Sequence, residues 1–295
     1  MVNPSTWQEW SAAQARAWIA VPGPADDKYS RGVLGICTGS PEYPGAAVLG
    51  VQAAARTGVG MIRYVGPAAA AQLVLARRPE VVVGPGRVQA WLLGSGMNGD
   101  ALDAEAAATL LSAAASGVPV VCDAGALDYA RRSTGPTVIT PHFRELASLL
   151  ARAGTSVTPA TIARAPGEWA GRAAELLGVT VLLKGSVTYI AHPAGARFTV
   201  SDSPSWLATA GAGDVLGGIL GALLATHSDR LQTDAAALHA GDALPALAAV
   251  AATAAWLHAE AARRASAGGP IVALDVADAV PATIAALLSG AGGPC

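Results

Sequence analysis

The feature that most constrains the fold of this chain is the alternation of short apolar runs, rich in β-branched residues, with longer alanine-rich stretches. The apolar runs are continuous, which is typical of parallel strands that are buried on both faces. Parallel strands are joined by helices through right-handed crossovers, and repetition of this unit builds a doubly wound sheet. The sequence therefore predicts an α/β fold whose central, mostly parallel sheet carries helices on both faces.

Strands and helices can be assigned from this pattern. The predicted strands are residues 33–37, 61–65, 81–83, 91–93, 118–122, 137–139, 179–183 and 187–190. The predicted helices lie near residues 45–57, 67–77, 103–116, 144–152, 168–177, 212–225, 232–264 (with a break) and 275–289. Ligands of such sheets bind at the carboxyl ends of the strands, so we expect the functional residues directly after the apolar runs.

The charge balance bears on the partners of the chain. Its 19 basic and 21 acidic residues give a net charge of −2, whereas nucleic-acid binding needs a basic face and polybasic membrane binding needs clustered cations. The 52% of hydrophobic and 14% of charged residues exclude disorder over most of the chain. The longest apolar stretch, near residues 243–257, is shorter than the roughly 20 apolar residues of a membrane span. We therefore expect neither a nucleic-acid partner nor a membrane partner.

Two features favour a cytoplasmic location. The N-terminus shows no basic-then-apolar signal pattern. Cys37, Cys122 and Cys295 have neither metal-ligand spacing nor the spacing of a disulfide framework, and the first two are expected to be buried core thiols. Reduced thiols are typical of a cytoplasmic protein.

The first 26 residues are interpreted as a helical extension that precedes one domain over residues 27–290. Thr6 and Glu9 have the spacing of a helix-capping box. The residues that then share one helical face are Trp7, Trp10, Gln14 and Trp18. We expect this helix to dock on its own domain, with a subunit contact as the alternative. The tryptophans and the apolar composition favour a homo-oligomer.

The segment most informative about chemistry is residues 208–218, in which small residues lead directly into an apolar helix. Gly211 and Gly213 permit unusual dihedral angles and close approach to the backbone. Successive N–H groups at a helix start bind anions with the help of the helix dipole. Asp214 follows at once, either as a base on the group that meets the anion or simply as a stabilising charge at the helix N-terminus. The spacing leaves both interpretations open.

Further segments carry polar residues or glycines just after predicted strands. They are residues 39–47, 94–96, 121–127, 139–146 and 181–188. Each could be purely structural, since Lys184 could lie in a plain hairpin and His142 at a plain turn. Their shared position at one edge of the sheet nevertheless indicates a site. The sequence contains no P-loop, clear dinucleotide-binding glycine motif, zinc-protease motif or nucleophile elbow, which argues against those enzyme classes.

In their order along the chain, these motifs resemble those of the ADP-dependent (S)-NAD(P)H-hydrate dehydratase family, within the ribokinase-like superfamily. The Gly-Ala-Gly-Asp box at residues 211–214 is shared with many sugar and vitamin kinases. Its combination with Thr-Pro-His at residues 140–142 and Lys-Gly at residues 184–185 is typical of the dehydratases. The resemblance spans about residues 28–289. It implies a ribokinase-like fold and, because few residues precede it, a stand-alone dehydratase.

The resemblance implies a repair reaction in which the (S)-epimer of hydrated NADH or NADPH is dehydrated while ADP is converted to AMP and phosphate. Its small-molecule partners would be the hydrated dinucleotide, ADP and Mg²⁺. The implied contacts with the nucleotide are Lys184, Gly185, Ser186, Val187, Thr188 and Gly213. Those with the hydrated dinucleotide are Ala46, Gly96, His142 and Asp214. In the hypothesis that fits this chemistry, Asp214 is the catalytic base, and the anion hole consists of the amides of Ala210, Gly211, Ala212 and Gly213.

The chain departs from the family pattern at three places, and two other functions stay open. Residues 94–96 are Gly-Ser-Gly instead of Gly-Pro-Gly, residues 203–206 replace a Gly-Asn-x-Gly turn, and residues 143–144 are Phe-Arg instead of Pro-Gly.

An ATP-dependent kinase of a small alcohol, of the thiazole or hydroxymethylpyrimidine type, would share the fold and the glycine box but release a phosphorylated product. A nucleotide-binding protein without catalysis is disfavoured because it would have no reason to keep Asp214.

Overall fold

The strands form one sheet of ten members in the computed structural model, which describes residues 6–237 and 245–290. They are β1 (Gln8–Glu9), β2 (Val33–Cys37), β3 (Met61–Tyr64), β4 (Val82–Val83), β5 (Ala90–Leu93), β6 (Val120–Cys122), β7 (Thr137–Ile139), β8 (Thr180–Leu183), β9 (Thr188–Ala191) and β10 (Arg197–Val200). Their order is β1-β10-β9-β8-β7-β6-β5-β2-β3-β4. All neighbours pair in parallel except β8 with β9 and β9 with β10. The predicted α/β class with a mostly parallel sheet is confirmed.

Helices cover both faces of this sheet, as predicted. The helices are α1 (Ala12–Arg16), α2 (Gly45–Thr57), α3 (Ala68–Arg77), α4 (Ala104–Ala114), α5 (Phe143–Arg152), α6 (Pro159–Arg164), α7 (Pro166–Leu177), α8 (Ala212–Thr226), α9 (Ser228–Ala237), α10 (Ala246–Ser266) and α11 (Ala273–Ser289). Short 3₁₀ segments occupy Gly99–Ala101, Ala124–Arg132 and Ser205–Leu207. One face packs against α2, α8, α10 and α11, and the other against α4, α5, α6 and α7.

Two apolar layers result because successive residues of a strand point to opposite faces. On β5, Leu92 belongs to the layer under α8 and α10, whereas Leu93 belongs to the layer under α4 and α5. In the first layer, α2 and α8 approach each other closely. A Cβ atom at Gly218 of α8 would lie 2.2 Å from the carbonyl oxygen of Gly50 on α2, so the two helices meet backbone to backbone. This contact holds the N-terminus of α8 over the carboxyl edge of the sheet.

The predicted strands and helices are present in the structure, with small changes at their ends. The pattern missed β1, β10 and α6, which are short and carry no long apolar run. The single predicted helix over residues 232–264 is two helices, α9 and α10. Its predicted break falls on residues 238–244, which lie outside the described residues.

The N-terminal segment begins differently from its prediction. Glu9 lies in β1, which pairs with β10, and its carboxylate accepts a hydrogen bond from Thr199 Oγ1 at 2.7 Å. Helix α1 begins only after Ser11, whose side chain caps it in a reciprocal box with Gln14. The predicted cap at Thr6 is therefore wrong, because pairing with the sheet takes up residues that the prediction placed in the first helical turn.

The same segment docks on its own domain, as expected. Trp10 is buried with its ring 4.7 Å from that of Phe198, and its Nε1 donates a hydrogen bond to Thr253 Oγ1 of α10 at 3.2 Å. Trp18 is also buried in the core. The division into an extension over residues 1–26 and a domain over residues 27–290 stays a prediction.

Two further expectations concern cysteines and membranes. Cys37 and Cys122 are buried free thiols, as predicted, and Cys295 lies outside the described residues. Burial raises the pKa of each of the two described thiols to about 12. Among the helices of the described ranges, none has the length and apolar character that a membrane crossing needs.

Candidate active site

A cavity of about 860 Å³ opens at the carboxyl edge of the sheet, between the ends of the central strands and the N-terminus of α8. Helix α10 contributes Ala255 and His258 to its wall. The residues singled out in the sequence that line it are Gly96, His142, Lys184, Gly185, Ser186, Thr188, Gly211, Ala212, Gly213 and Asp214. The fold thus brings segments that are far apart in the sequence to one place.

The N-terminus of α8 forms one side of this cavity. Gly211 precedes the helix with a φ of +87°, in the left-handed region. A Cβ atom there would lie 2.4 Å from the side chain of Leu49, so the turn requires glycine. The first N–H groups of a helix have no partner within it and bind anions. Ala212 and Gly213 line the cavity at this turn, but the Ala212 N–H donates a long hydrogen bond to the Thr209 carbonyl at 3.4 Å, and Ala210 is exposed before the helix. The anion-binding turn is therefore formed by the N–H groups that follow, from Gly213 onwards.

Asp123 comes directly after β6 and forms a buried cluster with Lys184 and Thr140. Its Oδ1 accepts hydrogen bonds from Lys184 Nζ at 2.9 Å and from Thr140 Oγ1 at 2.7 Å. Burial alone would raise the pKa of this carboxyl, but the Lys184 ammonium and the hydrogen bonds outweigh burial and lower it. Burial likewise opposes the charge of Lys184, yet Asp123 and Glu145 raise the pKa of its ammonium. Both groups are therefore charged at neutral pH.

The Lys184 ammonium also faces the anion-binding turn. A Cβ atom at Gly213 would lie 3.5 Å from Lys184 Nζ. The side chain of Lys184 is only 22% exposed. A cation and a set of backbone N–H groups therefore converge on one part of the cavity, where they favour a phosphate group.

His142 and Glu145 cap helix α5. The Nδ1 atom of His142 accepts a hydrogen bond from the Glu145 N–H at 3.1 Å, and Glu145 Oε2 accepts one from the His142 N–H at 2.8 Å. This capping box explains why a histidine fits at the turn. The box also carries the Glu145 carboxylate to 3.8 Å from Lys184 Nζ. His142 thus has a structural role and lines the cavity as well.

Asp214 lies in the first turn of α8, next to the anion-binding turn. Burial raises the pKa of its carboxyl to about 6, assisted by the negative charge of Asp123 and opposed by the Lys184 ammonium. A carboxylate whose pKa lies close to neutrality is suited to accept a proton during a reaction.

Three of the predicted residues, Ala46, Val187 and Ala210, stand outside the cavity lining. Gly96 has a φ of +68°, and a Cβ atom there would lie 2.4 Å from Ala46 Cβ. Ala46 is buried and supports Gly96 from behind instead of lining the cavity. Val187 lies in the loop between β8 and β9, and its neighbours Ser186 and Thr188 line the cavity where it does not.

The three departures from the family pattern all lie at this site. Ser203, Pro204 and Ser205 form part of the cavity wall, and Trp206 beside them is half exposed. The ring of Phe143 lies against the loop after β8, because a Cβ atom at Gly185 would be 3.0 Å from it. The serine of the Gly-Ser-Gly segment is buried at the end of β5. The departure at residues 203–206 therefore changes the cavity wall, whereas Phe143 and Ser95 lie next to the lining residues Gly185 and Gly96.

Comparison with known proteins identifies the family of this chain. The profile of the NAD(P)H-hydrate dehydratase family matches residues 34–281. The chain belongs to this family. The bifunctional NAD(P)H-hydrate repair enzyme of Mycobacterium tuberculosis is 43% identical over 233 residues, which are 74% of this chain and 46% of that protein. The chain thus spans about half the length of such relatives.

Other relatives support the same family and fold. The ADP-dependent (S)-NAD(P)H-hydrate dehydratase of Xanthomonas campestris is 31% identical over 250 residues, which are 75% of this chain and 81% of that protein. A Bacillus subtilis ADP/ATP-dependent NAD(P)H-hydrate dehydratase, co-crystallised with ATP and Mg²⁺, superposes with a TM-score of 0.80 at 24% identity, over 96% of this chain and 99% of that chain. A ribokinase-like protein of Enterococcus faecalis gives a TM-score of 0.78 at 21% identity, over 95% and 96%. The predicted ribokinase-like fold is confirmed.

Sequence reasoning assigned no role to three residues of this site. Asp123 and Glu145 occurred in the motifs, but only the folded sheet shows that both approach Lys184. His258 had no local signal, because it lies within α10 between Leu257 and Ala259 and belongs to no recognisable motif. Its position at the cavity depends entirely on how α10 packs beside α8.

Proposed function

We propose that this chain is an ADP-dependent dehydratase of the (S)-epimer of hydrated NADH and NADPH, and that it restores NAD(P)H with release of AMP and phosphate. The observation that carries the proposal is one cavity that holds Asp214, the anion-binding turn and the Lys184 ammonium. Membership of the dehydratase family supports the reaction class. The named Xanthomonas relative supports the nucleotide and the epimer.

In the proposed first step, the hydroxyl group of the hydrate attacks the β-phosphorus of ADP. Asp214 accepts the hydroxyl proton, a new O–P bond forms, and the P–O bond to the α-phosphate breaks with release of AMP. The N–H groups of the anion-binding turn and the Lys184 ammonium stabilise the negative charge on the transferring group. This step replaces hydroxide, a poor leaving group, with a phosphate ester.

In the proposed second step, the lone pair of the ring nitrogen expels the phosphate. The C–O bond breaks with its electron pair on the phosphate oxygen, and the neighbouring ring carbon then gives a proton to the departing phosphate, so that the dihydropyridine ring of NAD(P)H is restored. The oxygen atom of the added water leaves in the phosphate. Together the two steps convert the hydrate and ADP into NAD(P)H, AMP, phosphate and a proton, which Asp214 releases to solvent.

The residues of the cavity fit a Mg²⁺ ion that is bound mainly by the nucleotide. Within the described ranges, no cluster of three or more His, Cys, Asp or Glu side chains forms a ready metal site. Mg²⁺ commonly keeps waters and takes only one or two carboxylates beside substrate phosphates. Glu145 lines the cavity and would supply such a carboxylate, which leaves Asp214 as the proton acceptor. The ion would neutralise charge on the phosphates.

The test is an assay with hydrated NADH, Mg²⁺ and either ADP or ATP, in which recovery of the reduced-nicotinamide absorbance and free phosphate are measured together. We expect recovery with ADP, one free phosphate for each NADH, and no recovery with Asp214→Ala. Recovery with ATP alone would overturn the choice of nucleotide. A phosphorylated product without recovery would favour the small-alcohol kinase, and the absence of any turnover would favour a nucleotide-binding protein without catalysis.

The location and assembly of the protein are also proposed. The reduced thiols Cys37 and Cys122 support a cytoplasmic location. A homo-oligomer rests on the apolar composition, since Trp10 and Trp18 are buried within their own chain and are not available to a partner. Sedimentation equilibrium would measure the mass in solution, and a monomer at micromolar concentration would overturn the proposed oligomer.

A further inference from the structure

His258 is a buried polar residue at the active-site cavity to which the proposed reaction assigns no role. It lies on α10 and is only 8% exposed. Its Nε2 atom is buried and has no hydrogen-bond partner among the described residues. Buried polar groups in native proteins are nearly always hydrogen-bonded, and an unsatisfied one lowers stability. A leucine at this position would avoid that cost, so the histidine needs a reason.

The surroundings of His258 connect it to the anion-binding turn. Its imidazole interacts with the backbone of Ala212, the first residue of α8. It lines the same cavity as Gly213 and Asp214. The ionisable residues that line the cavity with it are Asp123, His142, Glu145, Lys184 and Asp214. His258 therefore lies beside the turn on which the transferred phosphoryl group would lie.

The ring is neutral at physiological pH. Burial lowers the pKa of His258 to about 4, the Ala212 backbone opposes this, and the Lys184 ammonium lowers it further. A neutral imidazole carries one N–H and one acceptor nitrogen. It can therefore donate one hydrogen bond without adding positive charge beside Lys184.

The backbone carbonyl of Ala212 is a suitable acceptor for that N–H. A carbonyl oxygen has two lone pairs, so it can accept a side-chain donor in addition to its helical partner. The ring interacts with the Ala212 backbone, but its Nε2 atom does not meet the geometry of a hydrogen bond in this structure. Hydrogen bonds in active sites are often long or poorly aligned without ligand and tighten when it binds.

We propose that His258 is a positioning residue for the anion-binding turn: its Nε2–H completes a hydrogen bond to the Ala212 carbonyl when a phosphate group binds at the N-terminus of α8. In this way His258 fixes the direction of the Gly213 N–H and of the Asp214 carboxylate. The inference rests on the proposed function, because it assumes that a phosphoryl group occupies the turn. It extends that function, because it gives a residue of α10 a part in orienting the Gly213 N–H and the Asp214 carboxylate.

Kinetics of two variants test the alignment. We expect His258→Leu to lower kcat by about tenfold to hundredfold, since a small misplacement of reacting groups has effects of that size. The KM for ADP should change by less than about threefold, because Lys184 and the loop after β8 remain. His258→Gln, which retains an N–H donor, should recover most of the lost rate. Equal rates for His258→Leu and the wild type would overturn the proposal.

Stability separates this role from a purely structural one. His258→Leu removes an unsatisfied polar group, so it should unfold at the same temperature as the wild type or higher. The matched control is Leu257→Met, the adjacent buried core position on α10, which should leave kcat unchanged. A loss of activity in His258→Leu that is matched by an equal loss in Leu257→Met would contradict the proposal.

Nitrogen-15 NMR of the wild-type imidazoles tests the hydrogen bond without any turnover. Addition of inorganic phosphate, and separately of ADP, should shift the His258 Nε2 resonance and slow the exchange of its proton. An unchanged resonance at saturating phosphate and ADP would overturn the inference, even if repair activity is present. A shift in a protein that does not repair hydrated NADH would support the positioning role and overturn the proposed function instead. This measurement also applies if His258→Leu fails to fold.

Discussion

Asp123 and Asp214 line the same cavity, but their carboxyl groups are stabilised in opposite ways. Asp123 is almost fully buried, and the Lys184 ammonium and the Thr140 hydroxyl both contact it. The Asp214 carboxyl is shielded from water beside the negative charge of Asp123, and its pKa is raised to about 6 although the Lys184 ammonium opposes the rise. Burial acts on both groups in the same direction, so the difference comes from the charges and hydrogen bonds around them.

This difference assigns separate tasks to the two acids. Where two carboxyl groups in one site have pKa values displaced in opposite directions, they can serve as a permanent charge and as a proton acceptor. Asp123 remains ionised and holds the Lys184 ammonium in place. Asp214 gains and loses a proton near neutral pH. We therefore expect changes around Asp123 to affect mainly the stability of the protein, and changes to Asp214 to affect mainly the rate of the reaction.

The largest expected effect is on the rate. Asp214→Asn keeps the shape of the side chain but cannot accept the hydroxyl proton, so the turnover number should fall by about 10²–10⁴-fold. Binding of ADP should persist, which isothermal titration would show. In the wild type, the rate should fall about tenfold for each pH unit below the Asp214 pKa of about 6. Near wild-type turnover in Asp214→Asn would contradict the proposed role of Asp214 as the proton acceptor.

The second effect concerns the paired acid. Lys184→Met leaves the Asp123 carboxylate buried without its cation, and breaking a buried pair in this way costs about 3–5 kcal/mol of unfolding free energy. Urea denaturation at pH 7.5 would measure it. The control is the double variant Lys184→Met/Asp123→Asn, which removes both charges and should recover most of the loss. A double variant as unstable as the single one would show that the pair itself matters little.

The third prediction is a gain in stability, whereas the second is a loss. The pKa of Asp214 is raised from 3.8 to about 6 in the folded protein, so its ionisation opposes folding, and this penalty grows as the pH rises from about 4 to about 6. Asp214→Asn removes the penalty and should therefore stabilise the protein by up to about 3 kcal/mol at pH 7.5, at 1.36 kcal/mol per pKa unit. Denaturation curves at pH 4 and pH 7.5 would test it. The gain should vanish at pH 4, and a gain of equal size there would contradict the electrostatic cause.

The smallest effect comes from the hydroxyl partner of Asp123. Thr140→Val preserves the shape of the side chain but removes the 2.7 Å hydrogen bond to the carboxylate. Hydrogen bonds to charged groups contribute about 1.5–3 kcal/mol, so a loss of that size is expected at neutral pH. Because the pKa of Asp123 is lowered on folding, this contribution is present above the ordinary carboxyl pKa and is lost as the pH falls through the folded value. Urea midpoints at a series of pH values from 7.5 downwards provide the comparison: the loss should shrink as the carboxyl becomes protonated in acid, and a loss that grows as the pH falls would be inconsistent with it.

Prediction from the sequence succeeded where the signal is local. The turn before α8 was recognisable because Gly211, Gly213 and Asp214 are adjacent in the chain and lead into an apolar helix. The central strands were recognisable because short, continuous apolar runs are typical of parallel strands that are covered on both faces. Local patterns failed at the N-terminus, where pairing of β1 with β10 displaces the start of the helix from Thr6 to the residues after Ser11.

Prediction did not extend to groups that meet only through long-range packing. Asp123 and Lys184 follow β6 and β8, which are separated by β7, and their contact depends on the strand order and on the length of the lysine side chain. His258 reaches the cavity because α10 packs against α8. Neither contact has a signature in the spacing of residues along the chain.

The sequence by itself determined the class of fold, the family motifs and the identity of the acid at the start of α8, because each depends on residues that are close together in the chain. Only the tertiary structure decided the charge states of the site. A pKa depends on burial and on the charges within a few ångströms, and those neighbours come from β6, β7, β8, α8 and α10 together. Asp123 and Asp214 are chemically identical side chains, and their different surroundings in the folded protein are what displace their pKa values in opposite directions and separate their proposed tasks.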